Sequence, residues 1–238
     1  MGQGTSTAVK VSTGIEGLDD LLYGGIPEKN QILLLGDTGS GKTLLSFEIA
    51  YKTAKAGIPT TFLTLEEKKH ALISFVEETF TDFTDMESLI ESDTLHIEEK
   101  KLQYAIKSPE NIQAIVAEII RTAEHNNSKF LVIDSFSLLR SLYSDDRSFT
   151  RGINYIIESL RNQNVTTIIT FETSKRNSEN APGLFEESMF DSIIKLSRQN
   201  SGGELKYLIN IVKMRYSRFK STTRELVITN SGIKITPK

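Results

Sequence analysis

The sequence contains no cysteine, and it contains no apolar run long enough to cross a lipid bilayer. The absence of cysteine excludes disulfide bonds, thiolate catalysis and zinc sites with cysteine ligands. The longest apolar stretches, such as "IQAIVAEII" at residues 112–120, are far shorter than the roughly 20 residues that a membrane helix needs. The amino-terminal segment is polar and lacks the apolar core of a signal peptide. We therefore expect a cytoplasmic protein without a membrane partner.

The chain also has little net charge. Its formal charge is −3, which neither favours nor excludes a nucleic-acid partner, because local patches decide such binding. The 238 residues are 38% hydrophobic and 25% charged, which is ordinary for a soluble α/β protein. This length suits one domain with a core large enough to fold unaided. We expect a flexible tail over residues 1–10 and a single domain over residues 11–238.

Strand patterns and helix patterns alternate through most of the chain. Short apolar strand patterns begin at Gln31, Thr60, Thr94, Phe130 and Thr166, and a helical pattern lies between successive strands. Such alternation indicates an α/β fold with a mostly parallel, twisted sheet flanked by helices on both faces. After Phe190, four strand patterns follow one another, joined by turn-rich segments such as "QNSGG". We expect antiparallel strands that extend one edge of the parallel sheet.

One glycine-rich segment, "GDTGSGKT", directly follows the strand pattern "QILLL" and precedes a helical pattern. It fits G-x-x-x-x-G-K-[ST], in which backbone N–H groups surround phosphates, the lysine reaches the β- and γ-phosphates, and the last hydroxyl helps to hold Mg²⁺. An ordinary glycine-rich turn is the alternative, but the order strand, loop, helix is the context that nucleotide binding requires. The sequence therefore predicts a site for ATP and Mg²⁺. The expected nucleotide-binding residues are Gly36, Asp37, Thr38, Gly39, Ser40, Gly41, Lys42, Thr43 and Leu44.

A metal-binding residue is expected at the end of the apolar segment "FLVIDS". Its apolar residues put Asp134 at the carboxyl end of a buried strand, where open α/β sheets bind ligands. An aspartate there holds Mg²⁺ directly or through water, together with the Thr43 hydroxyl. A strand-ending residue that caps the next turn is the alternative, and the phosphate loop upstream favours the metal.

Two adjacent carboxylates, Glu66 and Glu67, end the strand pattern "TFLTLEE". Hydrolysis needs a carboxylate near the γ-phosphate to orient or deprotonate the attacking water. Because side chains alternate along a strand, at most one of the two points directly at the site. The alternative is that "EEKK" forms the charged first turn of a helix. Thr170 and Glu172 end another strand pattern, and they could contact the γ-phosphate or only mark where that strand leaves the core.

The late segment "INIVKMRYSRFKSTTR" contains five basic residues: Lys213, Arg215, Arg218, Lys220 and Arg224. On a strand, Lys213 and Arg215 project from the same face, which suits a phosphate. They could contact ATP bound to a neighbouring subunit, as arginine fingers do. Two alternatives remain open. One is a nucleic-acid surface with Tyr216 and Phe219 for stacking, and the other is a solvated edge strand protected by charge.

Together these motifs resemble the KaiC-like family of RecA-superfamily ATPases along nearly the whole chain. The segment "STGIEGLDDLLYGGIPEKNQILLLGDTGSGKT" is similar to the opening of that family's domain and is much more specific than the phosphate loop alone. "FLTLEE" resembles the family's strand with two glutamates, and "VIDSFS" resembles its magnesium strand. "KMR" matches the family's K-M-R. The resemblance implies a RecA-like fold that binds and hydrolyses ATP.

The resemblance also implies roles for individual residues. It makes Glu66 the residue that activates water, with Glu67 in support. It also implies that Lys213 and Arg215 contact ATP bound by the adjacent subunit of a homo-oligomer. By the same resemblance, the homo-oligomer is a hexameric ring. Glycine commonly follows K-M-R in the family, whereas this chain has Tyr216. We expect one ATPase domain here, whereas the family's clock proteins carry two in tandem. We therefore do not expect the phosphorylation chemistry of those tandem proteins.

Three functional hypotheses follow. The first is a ring-forming regulatory ATPase with slow hydrolysis and an unknown protein client. The second is a RadA-paralogue-like protein that binds single-stranded DNA and assists recombination. The third is an assembly switch that binds ATP with little hydrolysis. Glu66 and Glu67 favour turnover over the third hypothesis, while the basic segment keeps the second open.

Overall fold

The computed structural model describes residues 9–100, 102, 109–173 and 187–237. The strands within them are β1 (Lys10–Val11), β2 (Ile26–Pro27), β3 (Gln31–Gly36), β4 (Thr60–Thr64), β5 (Leu95–Glu99), β6 (Phe130–Asp134), β7 (Thr166–Glu172), β8 (Ser192–Ser201), β9 (Glu204–Met214), β10 (Arg224–Thr229) and β11 (Gly232–Ile235). The α-helices are α1 (Leu18–Leu21), α2 (Lys42–Lys55), α3 (Lys69–Thr79), α4 (Met86–Glu91), α5 (Pro109–His125), α6 (Phe136–Arg140) and α7 (Asp146–Asn162).

Nine of these strands form one sheet in the order β11-β10-β9-β8-β3-β7-β6-β4-β5. The half that contains β3, β7, β6, β4 and β5 is parallel, which confirms the predicted α/β fold. The late strands extend one edge of this half as expected, and β8 joins the two parts, since it runs parallel to β3 and antiparallel to β9. Residues 173–191 between β7 and β8 are long enough for a parallel return, whereas the short turn at Gly202 and Gly203 reverses the chain into β9.

The hydrophobic core lies in two layers, one on each face of the sheet. Helices α2, α3 and α4 cover the first face, where the rings of Phe47 and Phe62 pack with their centroids 5.1 Å apart. Helices α5, α6 and α7 cover the second face around the fully buried Phe149. Neighbouring strand residues alternate between the layers, so that Leu33 belongs to the second and Leu34 to the first. Burial on both faces explains the continuous apolar runs of the parallel strands.

A buried carboxylate, Glu48, links the helix that follows the phosphate loop to the last hairpin. Its Oε2 accepts a hydrogen bond from Ile233 N at 2.6 Å, and its Oε1 lies 2.8 Å from Lys52 Nζ. Lys52 Nζ also donates to Gly14 O at 2.9 Å. Gly232 has a φ of +125°, and a Cβ there would lie 2.3 Å from Glu48 Oε1, so this turn requires glycine. Glu48 and Lys52 together thus hold α2 against residues from both ends of the chain.

Two residues of the expected flexible tail, Val9 and Lys10, are among the described residues. Residues 1–8 of the expected flexible tail lie outside the described residues, whereas Lys10 belongs to β1 and pairs with Pro27 of β2. The carbonyl O of Val9 accepts a hydrogen bond from Glu28 N at 2.9 Å. Among the described helices, none combines the length and the apolar character that a membrane span needs.

Candidate active site

The phosphate-loop sequence lies at the carboxyl end of the central strand β3. The strand ends at Gly36 and α2 begins at Lys42, so the loop is a tight connection between them. Gly39 and Gly41 have φ values of 70° and 91°, which L side chains rarely adopt, and this explains the glycines of the pattern. The amino terminus of α2 adds unpaired N–H groups and the positive end of the helix dipole. The arrangement suits a chain of phosphates.

Lys42, the lysine of the loop, is buried and points back into the loop. Its Nζ donates to Gly36 O at 2.8 Å and to Asp37 O at 2.9 Å. Burial lowers the pKa of Lys42, and nearby carboxylates oppose that shift. These carboxylates are Glu172, Asp134, Asp37 and Glu66. The ammonium group is therefore held where bound phosphates would compete with two carbonyl oxygens for it.

Thr43 and Asp134, which come from separate segments, meet beside the loop. Thr43 Oγ1 donates to Asp134 Oδ2 at 2.9 Å, and Thr170 Oγ1 donates to Asp134 Oδ1 at 2.5 Å. Burial raises the pKa of Asp134, and the two hydrogen bonds oppose that rise. A hydroxyl and a carboxylate in contact are oxygen ligands of the kind that Mg²⁺ takes, together with phosphate oxygens. A cation would also offset the cost of burying this carboxylate, so the residues present fit Mg²⁺.

Glu66 lies beside this pair of residues. It follows the buried Leu65, just beyond the end of β4, and its Oε2 accepts a hydrogen bond from Ser135 Oγ at 2.9 Å. Its charge raises the pKa of both Lys42 and Asp134, which puts it within electrostatic reach of the loop and the metal residues. Sequence reasoning missed Ser135, although this residue directly follows the aspartate of "FLVIDS".

Glu67 has a different environment. Its backbone N–H donates to Thr64 Oγ1, and its carbonyl O accepts from the same hydroxyl, both at 2.9 Å. These contacts form a tight turn at the end of β4. Helix α3 begins at Lys69, so the alternative in which the two glutamates form the first turn of a helix is wrong. The turn directs Glu66, rather than Glu67, into contact with Ser135.

Residues that follow β6 and residues at the end of β7 form hydrogen bonds that hold the phosphate loop in place. Thr38 Oγ1 donates to the carboxylate of Glu172, and Thr173 Oγ1 donates to Asp37 Oδ1 at 2.7 Å. The backbone N–H of Glu172 donates to Ser137 Oγ at 2.7 Å. Glu172, one of the strand-end candidates, therefore contacts the loop itself. Neither Thr173 nor Ser137 was a candidate site residue, and only the fold brings them to the site.

Lys213 and Arg215 lie at the opposite end of the sheet. Arg215 N donates to Asp191 O at 2.8 Å, and Asp191 N donates to Gln31 O at 2.9 Å, so Arg215 is level with the start of β3. The phosphate loop begins at Gly36, at the other end of this strand. At about 3.3 Å per residue, the two levels are roughly 16 Å apart along the sheet.

Lys213 and Arg215 lie within electrostatic reach of each other. Lys213 Nζ donates to Phe190 O at 2.7 Å and to Glu187 O at 3.0 Å. Arg215 lies just beyond the end of β9, and its Nη1 is 3.8 Å from Asp191 Oδ1. Burial lowers the pKa of Lys213, and the Arg215 charge lowers it further. The arrangement leaves Arg215 about half exposed and able to reach a second molecule.

Two further cations of the basic segment, Arg218 and Lys220, have partners within the subunit. Tyr216 is 75% exposed and has a φ of 64°, so it adopts the left-handed conformation that glycine takes most easily. Arg218 Cζ and Lys220 Nζ lie 5.0 and 5.6 Å from the centroid of the Tyr23 ring. Lys220 Nζ also donates to Asp20 Oδ1 at 2.6 Å. These pairings weaken the case for a nucleic-acid surface, because two of its cations are already engaged.

The fold and the site together define a class of protein. A mostly parallel sheet carries a phosphate loop after its central strand, and carboxylates follow neighbouring strands at the same edge. This is the arrangement of a phosphate-loop nucleotide-binding protein with a RecA-like fold. The family model for the ATPase KaiC matches residues 11–238. The chain therefore belongs to the KaiC family of ATPases, as its motifs predict.

Individual relatives agree with the family. The chain is 29% identical to a UPF0273 protein of Methanopyrus kandleri, over 96% of this chain and 92% of the relative. It is 28% identical to the circadian clock oscillator protein KaiC of Picosynechococcus, over 96% of this chain but 44% of that protein. The crystal structure of a KaiC-like protein from Pyrococcus horikoshii superposes with a TM-score of 0.83 and 29% identity, covering 97% of this chain and 100% of the other.

Proposed function

We propose that this protein binds ATP with Mg²⁺, hydrolyses it slowly and assembles into a homo-oligomeric ring with ATP between subunits. One observation carries the proposal. Side chains from three separate segments converge at one end of the sheet: Lys42, Thr43, Glu66 and Asp134. A glycine-rich turn with only a structural purpose would not need a buried carboxylate and a second carboxylate beside it.

The loop residues Gly36–Leu44 would surround the phosphates, and Lys42 would neutralise part of their charge. Thr43 and Asp134 would hold Mg²⁺, which when bound neutralises charge on the β- and γ-phosphates. The hydrogen bond from Thr170 keeps the Asp134 carboxylate in one orientation. The chain's own contribution is therefore a pre-formed set of oxygen ligands beside the phosphate site.

Glu66 is the candidate for activating water. Its Oε2 accepts from Ser135, so that Oε1 can accept a hydrogen bond from a water molecule next to the γ-phosphate. A carboxylate held by one oxygen and open at the other can orient the water and receive its proton. Glu67 takes the supporting role, because its backbone forms the turn that presents Glu66.

Lys213 and Arg215 are proposed to serve the ATP of a neighbouring subunit. The roughly 16 Å between the level of Arg215 and the phosphate loop supports this assignment, because an arginine side chain cannot cover that distance. Lys213 is directed away from its own loop, since its Nζ donates to Phe190 O and Glu187 O. ATP that contacts two subunits stabilises their association, which would couple assembly to the nucleotide. By family resemblance the ring is a hexamer.

Two substitutions in the loop region test the central proposal. Lys42→Ala should abolish saturable binding of ATP in a titration with a fluorescent analogue, because it removes the cation from the phosphates. Glu66→Gln should lower phosphate release by roughly a hundredfold, because the amide cannot accept the proton, while ATP affinity changes little. Glu67→Gln is the matched control and should retain turnover.

The alternatives have distinct outcomes in the same assays. Unchanged ATP affinity in a folded Lys42→Ala protein would count decisively against nucleotide binding by this loop. If Glu67→Gln loses turnover and Glu66→Gln keeps it, the two roles are reversed. Wild-type protein that assembles with ATP but releases no phosphate would favour an assembly switch over an ATPase.

A mixing experiment tests the position of ATP between subunits. Glu66→Gln subunits keep Arg215, and Arg215→Ala subunits keep Glu66, so mixed rings contain some complete sites. Phosphate release recovered on mixing would support a contribution from the neighbour. The absence of recovery, in rings shown by labelling to exchange subunits, would contradict it.

A further inference from the structure

A cation that belongs to no motif lies beside the phosphate loop of the same subunit. Strand β8 runs parallel to β3 and extends past its carboxyl end. A Cβ placed on Gly36 would lie 2.9 Å from Leu196 O, so β8 packs directly against the first residue of the loop. Arg198 follows two residues later and therefore projects from the same face of β8 as the buried Leu196. This face is the one that α2 covers.

The guanidinium group of Arg198 approaches the loop closely. A Cβ placed on Gly39 would lie 3.2 Å from Arg198 Nη1 and 3.8 Å from its Cζ. Arg198 is exposed, and the ion pairs of the described residues do not include it. Arg161 on α7, by contrast, has a carboxylate partner in Asp191 at 3.1 Å. Arg198 is instead available to an anion in the loop.

The charges around the loop explain why a second cation is needed there. Four carboxylates lie within electrostatic reach of Lys42: Glu172, Asp134, Asp37 and Glu66. Against one ammonium group they leave a local excess of negative charge, which opposes the approach of a phosphate chain even when Mg²⁺ accompanies it. The side chains of Lys213 and Arg215 lie at the far end of the sheet, so they cannot offset this negative charge within one subunit. Arg198 lies beside the loop and can offset it.

We propose that Arg198 contacts the phosphates of the nucleotide bound in its own subunit's loop and gives that site a second cation. The proposal rests on the proposed nucleotide binding and adds a positioning residue to it. An isolated subunit then holds its nucleotide with Lys42 and Arg198, before any neighbour contributes Lys213 and Arg215. A guanidinium group next to Gly39 can donate two hydrogen bonds to phosphate oxygens.

The test measures ADP and ATP affinity of Arg198→Ala and Arg198→Lys by calorimetric titration at low and high salt. Arg198→Ala should weaken both nucleotides by about tenfold at low salt, the usual size of one charge-assisted contact. Arg198→Lys should recover part of the loss, since it keeps the charge without the paired donors. The ratio of wild-type to Arg198→Ala affinity should shrink at high salt. The melting temperature of the nucleotide-free protein should not change, because the side chain is exposed.

Lys195→Ala is the matched control. Lys195 lies on the same strand, is also exposed, and projects from the opposite face of β8. Its loss changes the net charge equally and should leave nucleotide affinity unaltered. Equal affinity of Arg198→Ala and wild type, or an equal loss in Lys195→Ala, would overturn the role of Arg198 alone. A wild-type protein that binds no nucleotide would overturn the proposed function as well, so the two failures are distinguishable.

Discussion

Replacement of Tyr216 by glycine should stabilise the protein. Tyr216 follows Arg215 with a φ of 64° and 75% of its surface exposed, so its ring contributes little to packing. The left-handed conformation costs a residue with a Cβ about 1–2 kcal/mol. Glycine avoids this cost but loses about 0.5–1 kcal/mol more backbone entropy on folding. The net gain is about 0.5–1 kcal/mol, which for a chain of this length raises the melting temperature by about 1–4 °C.

Tyr216→Ala separates the backbone effect from the ring. Alanine removes the ring but keeps the Cβ, so it should not gain the stability that glycine gains. Thermal unfolding of the two variants and the wild type, followed by circular dichroism without nucleotide, measures the difference. Glycine and alanine variants with equal melting temperatures would refute the reasoning, because they would show that the Cβ at this position is not strained.

Three further predictions concern the metal residue, the last hairpin and the basic segment. Burial raises the pKa of Asp134 in the folded protein, so the folding stability of the wild type falls as the pH rises through this raised pKa. Asp134→Asn removes the buried charge and should therefore have a higher melting temperature than the wild type near pH 7 without nucleotide. The same variant should lose Mg²⁺-dependent ATP binding. Gly232→Ala should lower the free energy of unfolding, measured in urea, by more than about 2 kcal/mol, because the new Cβ would meet a buried carboxylate. Gly203→Ala should lower it less, because the space around Gly203 is open. Single-stranded DNA should bind weakly in filter assays, since Arg218 and Lys220 are already paired; tight binding with a steep salt dependence would contradict this.

Much of the nucleotide site could be predicted from the sequence, because its main parts are local. The loop from Gly36 to Thr43 is one continuous segment between a strand and a helix, so its motif and its context are both readable. Asp134 and Glu66 are strand-end carboxylates, and parallel strands bring their carboxyl ends to one edge. The sequence also indicated that Lys213 and Arg215 project together.

The residues that sequence reasoning missed depend on contacts between distant segments. Thr173 reaches Asp37 only because β7 pairs with β3 in a particular register. Arg198 reaches the loop only because β8 is parallel to β3 and extends beyond it, and no local pattern indicates this pairing. Local patterns give the face of a strand, but neither its neighbour nor its register.

The opposite positions of the phosphate loop and the Lys213–Arg215 pair make the molecule directional. Any contact that brings these two surfaces together joins unlike patches. An antiparallel two-fold pair would form that contact twice and stop there, whereas a head-to-tail contact repeats until the chain of subunits either closes or grows as a filament, and the rotation per subunit decides which occurs. If ATP lies between subunits as proposed, an open chain would leave one terminal loop without a neighbour's cations. Closure would complete that last site, so activity per subunit should rise when the assembly closes.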